Sequence, residues 1–372
     1  MQAPSFEEVG LLNTQILWAC FGLTTLLGWV MQRTHFCTMG AVSDIVNMGD
    51  WTRMRVWVMA IAVAMIGFQS MSEIGLIDPL ASIYASGRVL WLSAVVGGVL
   101  FGVGMVLASG CSSKTLLRIG SGSLKSVVVF AVMGLFAFMT LRGVFAVLRI
   151  QTLDRVFFEL PVASLPQLLP GLLGITSDYF AISFAVVIGI ALLMWCFAGP
   201  AFRQSGAAWG GLGIGLCVVC MWFLSGTVGF VQEHPQTLEA AYLATNSGRM
   251  EALSFTAPMA YTINWLIYFS DASNVLTIGV VSVLGLIFGG FLEAWRSKTF
   301  RWEGFANTRD TALHLTGAAL MGVGGVTALG CTFGQGISGL STLSVSSMIA
   351  FPAIIAGSLL GFKLQMWVLM RD

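Results

Sequence analysis

Nine stretches of roughly 20 mostly apolar residues recur along this chain, at approximately 11–31, 56–72, 89–109, 124–148, 179–198, 207–224, 275–295, 312–329 and 345–369. A helix needs about that length to cross the hydrocarbon of a bilayer. A further apolar segment, 254–269, is short and carries Pro258, and reads as a re-entrant or interfacial piece. Hydrophobic residues make up 57% of the 372 and charged residues only 9%, against about 25% charged in soluble domains. The expected fold class is an all-α polytopic membrane protein of about nine transmembrane helices, with re-entrant half-helices and an internal inverted repeat. This composition excludes a soluble enzyme, a nucleic-acid binder and a disulfide-stapled secreted domain. Lys plus Arg is 18 and Asp plus Glu is 17, so net charge suggests no polyanionic partner. Residues 1–10 carry Glu7 and Glu8 and no basic residue, so they do not read as a signal peptide.

Positive charge orients the spans. With the N-terminus outside, inner segments hold 12 basic residues, among them Arg33, Arg53, Lys114, Arg118, Arg296 and Arg371, and outer segments hold 5. Counting 254–269 as a full span would turn the cluster Arg296–Arg309 outward. The expectation is therefore nine spans with the C-terminus inside. The outer segment 225–253 is long and acidic, with Glu233, Glu239 and Glu251 against Arg249.

Two stretches repeat. Gly97–Cys111 and Gly317–Cys331 share glycines at four places with one offset, and both end in Gly-Cys: Gly110-Cys111 and Gly330-Cys331. Each is followed by a polar run, Ser112–Ser123 and Thr332–Ser347, too hydrophilic for a helix facing lipid. By the span count one Gly-Cys ends an inward helix and the other an outward helix. Paired motifs of opposite direction are a transporter signature. The chain then reads as one integral membrane domain, 1–372, with halves of about 1–170 and 175–372. The glycine rows by themselves fit ordinary close packing of membrane helices. A thiol ahead of an irregular polar run at the same place in both halves is not a packing requirement.

A third thiol, Cys37, follows the first span in Arg33-Thr-His-Phe-Cys37-Thr-Met-Gly-Ala-Val-Ser-Asp44, and Asp44 is placed to cap or orient a half-helix. Cys20, Cys196, Cys217 and Cys220 lie inside apolar runs and read as small hydrophobes. Cys217-x-x-Cys220 has redox spacing, but within a continuous apolar helix that signal is weak. His35, His234 and His314 are scattered, and no fourth zinc ligand accompanies the thiols. Cys37, Cys111 and Cys331 are either buried structural thiols or soft, polarisable ligands for a species with its own sulfur or selenium. Half-helix N-termini favour an anion. Together these point to a small sulfur oxyanion. Glu293, at a helix end, is the nearest approach to an intramembrane carboxylate.

The Cys37 segment, Gly102–Cys111 and Gly322–Gly339 resemble the YeeE/YedE family of bacterial sulfur transporters. The resemblance implies an inner-membrane, multi-pass thiosulfate-uptake protein with an hourglass shape. It implies that Cys37, Cys111 and Cys331 relay the ion through S–H hydrogen bonds without covalent chemistry, and that a cytosolic TusA-like sulfurtransferase is a partner. The expected path residues are Cys37, Cys111, Cys331, Gly110, Gly330, Ser112, Thr332 and Lys114, with no cofactor and no metal; Arg33, Lys114 and Arg118 would give the inner mouth positive potential. The sequence departs from the family pattern at Lys114, where a small residue is usual, and at Ser43, where a basic one is frequent. Lys114 is either an anion-attracting charge or a positive-inside residue. Selenium oxyanions, sulfite and, from another class, a membrane thiol-disulfide oxidoreductase are the rival readings.

Overall fold

The computed structural model describes residues 5–173, 179–271 and 274–369. Arg371 and Asp372, expected inside, lie outside the described residues. The helices are α1 (Phe6–Arg33), α2 (Thr38–Met48), α3 (Thr52–Glu73), α4 (Trp91–Leu107), α5 (Ser112–Gly120), α6 (Leu124–Arg142), α7 (Val144–Gln151), α8 (Leu165–Leu173), α9 (Phe180–Phe197), α10 (Pro200–Gln204), α11 (Ala208–Phe223), α12 (Thr256–Ile267), α13 (Ile278–Arg296), α14 (Thr308–Thr327) and α15 (Val345–Leu369). Two π-helical turns, Leu224–Val228 and Gly334–Gly339, extend α11 and precede α15. The strands are two-residue pairs: β1 (Arg88–Val89) with β2 (Phe158–Glu159), and β3 (Phe230–Val231) with β4 (Ala241–Tyr242).

Local sequence sets the ends. Ser5 and Glu8 form a capping box at the start of α1, with Glu8 accepting the Ser5 N–H at 2.7 Å. Asn307 accepts the Asp310 N–H at 2.8 Å and starts α14. The expected span 124–148 is broken at Gly143, whose extended backbone separates α6 from α7.

Eight helical segments among the described residues are long and apolar enough to cross a membrane. The ninth expected segment, 312–329, falls in α14, which has the length but not the hydropathy. It starts with Arg309 and Asp310, is rich in glycine, and packs against α4, α6 and α12. The short segment 254–269 is the 12-residue α12.

Glycine contacts fix relative directions. A Cβ on Gly104 would stand 2.7 Å from the Gly317 carbonyl oxygen, and one on Gly324 would stand 2.6 Å from that of Gly97. Low numbers of α4 therefore meet high numbers of α14, and the two run antiparallel with backbones touching. Gly28 meets Gly289 while Gly285 meets Phe21 and Thr24, so α1 and α13 are parallel. Gly211 meets Val56 and Met59 while Gly215 meets Ala60 and Val63, so α3 and α11 are parallel. Gly98 meets Ala350 and Ile354 while Gly361 meets Val103 and Val106, so α4 and α15 are parallel. These directions agree with successive crossings in which α12 is not one. Were α12 a full crossing, α1 and α13 would have to oppose each other.

The polarity of the molecule is that of a lipid-embedded protein. Trp18, Val187, Met194, Leu216 and Leu360 stand exposed along the long helices, whereas Ser112, Ser113, Thr332, Gln335, Ser338, Ser341 and Ser347 are buried. Apolar surface on this scale marks contact with membrane or partner.

Adding a methyl group where α4 and α14 touch overpacks the bundle, at a typical cost of about 1–3 kcal/mol. Gly104→Ala should therefore lower the thermal midpoint in detergent. Gly22 on α1 has nothing within 4 Å of a built Cβ, so Gly22→Ala should leave that midpoint equal or higher, because alanine is the better helix former. Equal midpoints for the parent and Gly104→Ala would refute the close-packing account.

Candidate functional site: three thiols between two cavities

The three break-site cysteines share one backbone device. The residue two places before each is non-glycine with a left-handed conformation: His35 (φ 51), Ser109 (φ 56) and Leu329 (φ 58). Hydrogen bonds repeat with it. Phe36, Gly110 and Gly330 donate to the carbonyls of Met31, Met105 and Gly325 at 2.9, 2.8 and 2.8 Å. This is the Schellman arrangement that ends a helix, normally built with glycine at the left-handed position. Non-glycine residues there cost of order 1–3 kcal/mol each, and such strain collects at functional sites.

The chain then restarts as a half-helix with the cysteine at its cap. Cys37 and Cys111 are extended and precede α2 and α5. Cys331 precedes the turn that becomes π-helical, and its sulfur accepts the Gly334 N–H at 3.4 Å. The Cys37 and Cys111 sulfurs stand in the same relation to the N–H groups of Gly40 and Lys114. A fourth half-helix, α12, is aimed at the same place: the Phe255 N–H donates to the Cys331 sulfur at 3.4 Å. Helix N-termini carry partial positive charge and free N–H groups.

The thiols are buried and close to one another. Cys111 and Cys331 are fully buried and Cys37 is 7% exposed. Cys37 and Cys111 are neighbours, and the Thr332 hydroxyl faces Cys111. Ser113 lies 3.3 Å from the Cys111 sulfur, and Thr256 donates to Ser112 at 3.4 Å, joining α12 to α5. The hydroxyl of Thr38, next in sequence to Cys37, is buried with no hydrogen-bond partner among the described residues, whereas that of Thr332 has the Cys111 thiol beside it. Unpaired buried hydroxyls are costly and call for an explanation such as a ligand. Aromatic rings wall the cluster: Phe36 stacks on Trp57 at 4.4 Å, Trp57 on Phe351 at 6.0 Å, and Phe333 meets Phe255 edge-on at 5.3 Å.

Cavities flank the thiols. One, of about 240 Å³, reaches Cys37 and is lined by His35, Ser109, Arg53, Lys114 and Arg118. The other, of about 250 Å³, reaches Ser254, Gly330 and Gln335 beside Cys331, and is lined also by Tyr84, Arg88, Arg149, Glu251 and Tyr261. Cys37 lines the first cavity; Cys111 and Cys331 line neither, and Gly330, next to Cys331, lines the second. The first cavity is basic; Arg53 there pairs with Asp44 at 3.1 Å, which gives Asp44 its role.

All eight of the expected path residues lie in this region: Cys37, Cys111, Cys331, Ser112, Thr332 and Lys114 with the glycines Gly110 and Gly330. Gly330 packs against Gln335, and Gly110 against the Lys114 stem. Lys114 is half-buried and reaches Gln32 at 3.4 Å. Arg33 does not join them. Its guanidinium lies over the rings of Trp29 and Trp209, at 5.2 and 5.9 Å, and Arg53 and His35 line the cavity instead. Glu293 is half-buried at the end of α13, away from both cavities. The remaining cysteines are not part of the site: Cys20 and Cys196 contact the carbonyls of Ile278 and Arg55, Cys217 is buried, and Cys220 is exposed. No cluster of metal ligands occurs among the described residues. Sequence reasoning missed Thr38, Phe255 and Gln335 as neighbours of the thiols. The shared Cys-Thr pairs, 37–38 and 331–332, were a signal for the first.

The chain is 28% identical over 338 residues to the thiosulfate transporter TsuA of Escherichia coli K12, covering 89% of this chain and 90% of that one. It is 26% identical over 363 residues to the thiosulfate transporter TsuA of Spirochaeta thermophila, covering 96% and 100%. A probable transporter, YedE of E. coli K12, matches 97 residues at 30% identity, 26% of this chain and 22% of that one. The family model described as sulphur transport matches residues 33–360, a range that holds all three thiols and both cavities, and the chain belongs to that family, the YeeE/YedE transporters.

Proposed function

We propose that this protein takes up thiosulfate, or a similar small sulfur anion, across the bacterial inner membrane through the path marked by Cys37, Cys111 and Cys331. The observation that carries the reading is the set of three buried thiols at breaks between long helices and half-helices, with one cavity at Cys37 and another beside Cys331. The relatives are thiosulfate transporters, which favours that ion over selenium oxyanions and sulfite.

The arrangement suits a large, soft, doubly charged ion. Backbone N–H groups and helix ends replace its water without bringing a full counter-charge that would hold it. Neutral thiols donate weakly and are polarisable, so contact with each is made and released cheaply. No bond to sulfur forms or breaks in this relay. The antiparallel contact of α4 with α14, and the parallel pairing of α1 with α13 and α3 with α11, support an inverted repeat of two halves, about 1–170 and 175–372, in one domain.

The basic cavity at Cys37 suits the cytosolic mouth, in line with the positive-inside rule, which supports an N-terminus outside. An inside-negative potential opposes a dianion by about 4.6 kcal/mol per 100 mV, twice the single-charge value. Import therefore needs a coupled ion or rapid consumption inside, and a TusA-like sulfurtransferase would supply the latter. The oxidoreductase reading is disfavoured by its own best pair, since Cys217 is buried and Cys220 exposed on α11 with neither in a disulfide.

Radiolabelled thiosulfate uptake into liposomes holding the purified protein tests the reading. Cys111→Ala or Cys331→Ala should abolish uptake with normal insertion, Ser at either position should restore little, and Cys217→Ala and Cys220→Ala should be nearly silent. Full uptake by both Cys111→Ala and Cys331→Ala would end the relay. Lys114 gives a second test. At an effective dielectric of about 20, a unit charge 6 Å from a dianion contributes roughly 5 kcal/mol before desolvation, and far less net. Lys114→Gln should raise the half-saturating thiosulfate concentration severalfold and Lys114→Arg much less; unchanged kinetics in Lys114→Gln would leave Lys114 as a topology residue. A reporter active only in the cytosol, fused after Asp372, should be active, and an inactive fusion in a correctly inserted protein would invert the orientation.

A further inference from the structure

The cavity beside Cys331 contains an acid that the relay does not use. Glu251 comes from the segment between β4 and α12, outside the long helices. The fold carries it into the cavity wall, where it stands with Tyr84, Tyr261, Arg88 and Arg149. One carboxyl oxygen accepts the Asn246 N–H at 2.8 Å and the Ser247 hydroxyl at 3.4 Å, and the Glu251 N–H donates to Ser225 at 3.0 Å. The side chain is thereby fixed in place. Among the described residues no lysine or arginine forms an ion pair with it.

The charges around it are few. Arg149 lies 3.5 Å from Asp154, so its charge is already matched. Arg88, itself exposed, lies over the Phe157 ring at 3.8 Å and donates to the Asp154 carbonyl at 3.5 Å. Ionised, Glu251 puts a negative charge in the wall that an entering anion faces. Neutral, it leaves that wall with the guanidinium groups of Arg88 and Arg149 and no acid.

We propose that Glu251 is a proton-binding site of this cavity and that its neutral form admits the sulfur dianion, so that proton and anion bind as linked ligands. The proposal rests on reading the thiol path as a sulfur-anion route. It names a coupling ion for a substrate whose charge opposes entry. Linkage is reciprocal: each ligand tightens the binding of the other by the same factor.

The chemistry agrees in sign. Burial pushes the Glu251 carboxyl up to about 7, with the Asn246 and Ser247 hydrogen bonds pulling the other way. Below that value the acid is neutral and the cavity attractive; above it the carboxylate repels the ion. The other groups near Glu251 are Tyr84 from the loop before β1, Tyr261 from α12, Cys20 from α1, the two arginines, and Arg142 at the end of α6, which faces Tyr261. Tyrosine, cysteine and arginine of ordinary pKa hold their charge state between about pH 6 and 8 for the most part. His35 lines the opposite cavity and His234 is on the exposed β3–β4 connection.

The test varies outer pH in liposomes of defined orientation with the inner pH held constant, using thiosulfate, which stays a dianion throughout. A site of pKa about 7 is about nine-tenths neutral at pH 6 and about one-tenth neutral at pH 8. If only the neutral form binds, the half-saturating concentration should rise about tenfold between those values. In Glu251→Gln the ratio should collapse toward one, with the value at pH 8 close to the parent's at pH 6. Glu233→Gln, which changes an exposed acid on the β3–β4 connection, should keep the parent's tenfold ratio. A parent that transports with a flat profile, or a Glu251→Gln protein that keeps the tenfold ratio, would overturn the proton site and leave the transport reading standing. Absence of thiosulfate flux in the parent at every pH would overturn both.

Discussion

The backbone contact between α4 and α14 is the constraint from which the rest of the architecture follows. With Gly97 and Gly104 against Gly324 and Gly317, no side chain separates the two helices. Both are continued by a left-handed residue, a glycine and a cysteine, so the antiparallel crossing fixes where Cys111 and Cys331 stand. In lipid there is no hydrophobic force to drive helices together, and such close approach is how packing energy is gained. The contact that stabilises the bundle is therefore also the one that positions two of the three thiols.

The half-helices solve a problem the long helices create. A spanning helix satisfies all its backbone groups and offers an ion nothing. Interrupting it exposes N–H groups, which membrane depth tolerates only against protein or water. Here the breaks are held by repeated Schellman hydrogen bonds and covered by Trp57, Phe255, Phe333 and Phe351. The free donors thus face inward, toward the thiols, with lipid kept away.

Much of this was legible in the chain itself. Apolar length and the placement of arginines gave the helical membrane class, and the paired Gly-Cys ends picked out two thiols at matching breaks, with Cys37 found from its position after the first long helix. Three features were not legible. The Gly143 break in 124–148 is a single residue in an apolar run, and a window of 20 residues averages over it. Arg33 was expected at the cavity because sequence proximity to Cys37 was the only guide; its stem instead lays the guanidinium on Trp29 and Trp209, which lie in α1 and α11. Glu251 was visible only as one acid among several in an outer segment. Its place in a cavity wall depends on the Ser82–Met250 bridge and on Ser225, contacts between residues far apart in sequence.

Four half-helices begin around the central cluster, yet only three begin with a thiol. At the start of α12 the corresponding ground is held by Ser254 and Phe255, with the Ser254 hydroxyl 3.9 Å from the Cys331 sulfur. The lining is consequently graded. Hydroxyls, amides, a carboxyl and two arginines form one end, thiols the middle, and thiol with three basic side chains and an imidazole the other. An ion following the proposed route would meet ligands of changing hardness and changing charge, in one order from one side and the reverse order from the other. The stops are the same in both directions, so such a lining sets the order in which water is exchanged for protein ligands, while the direction of net flux is left to the gradients on either side.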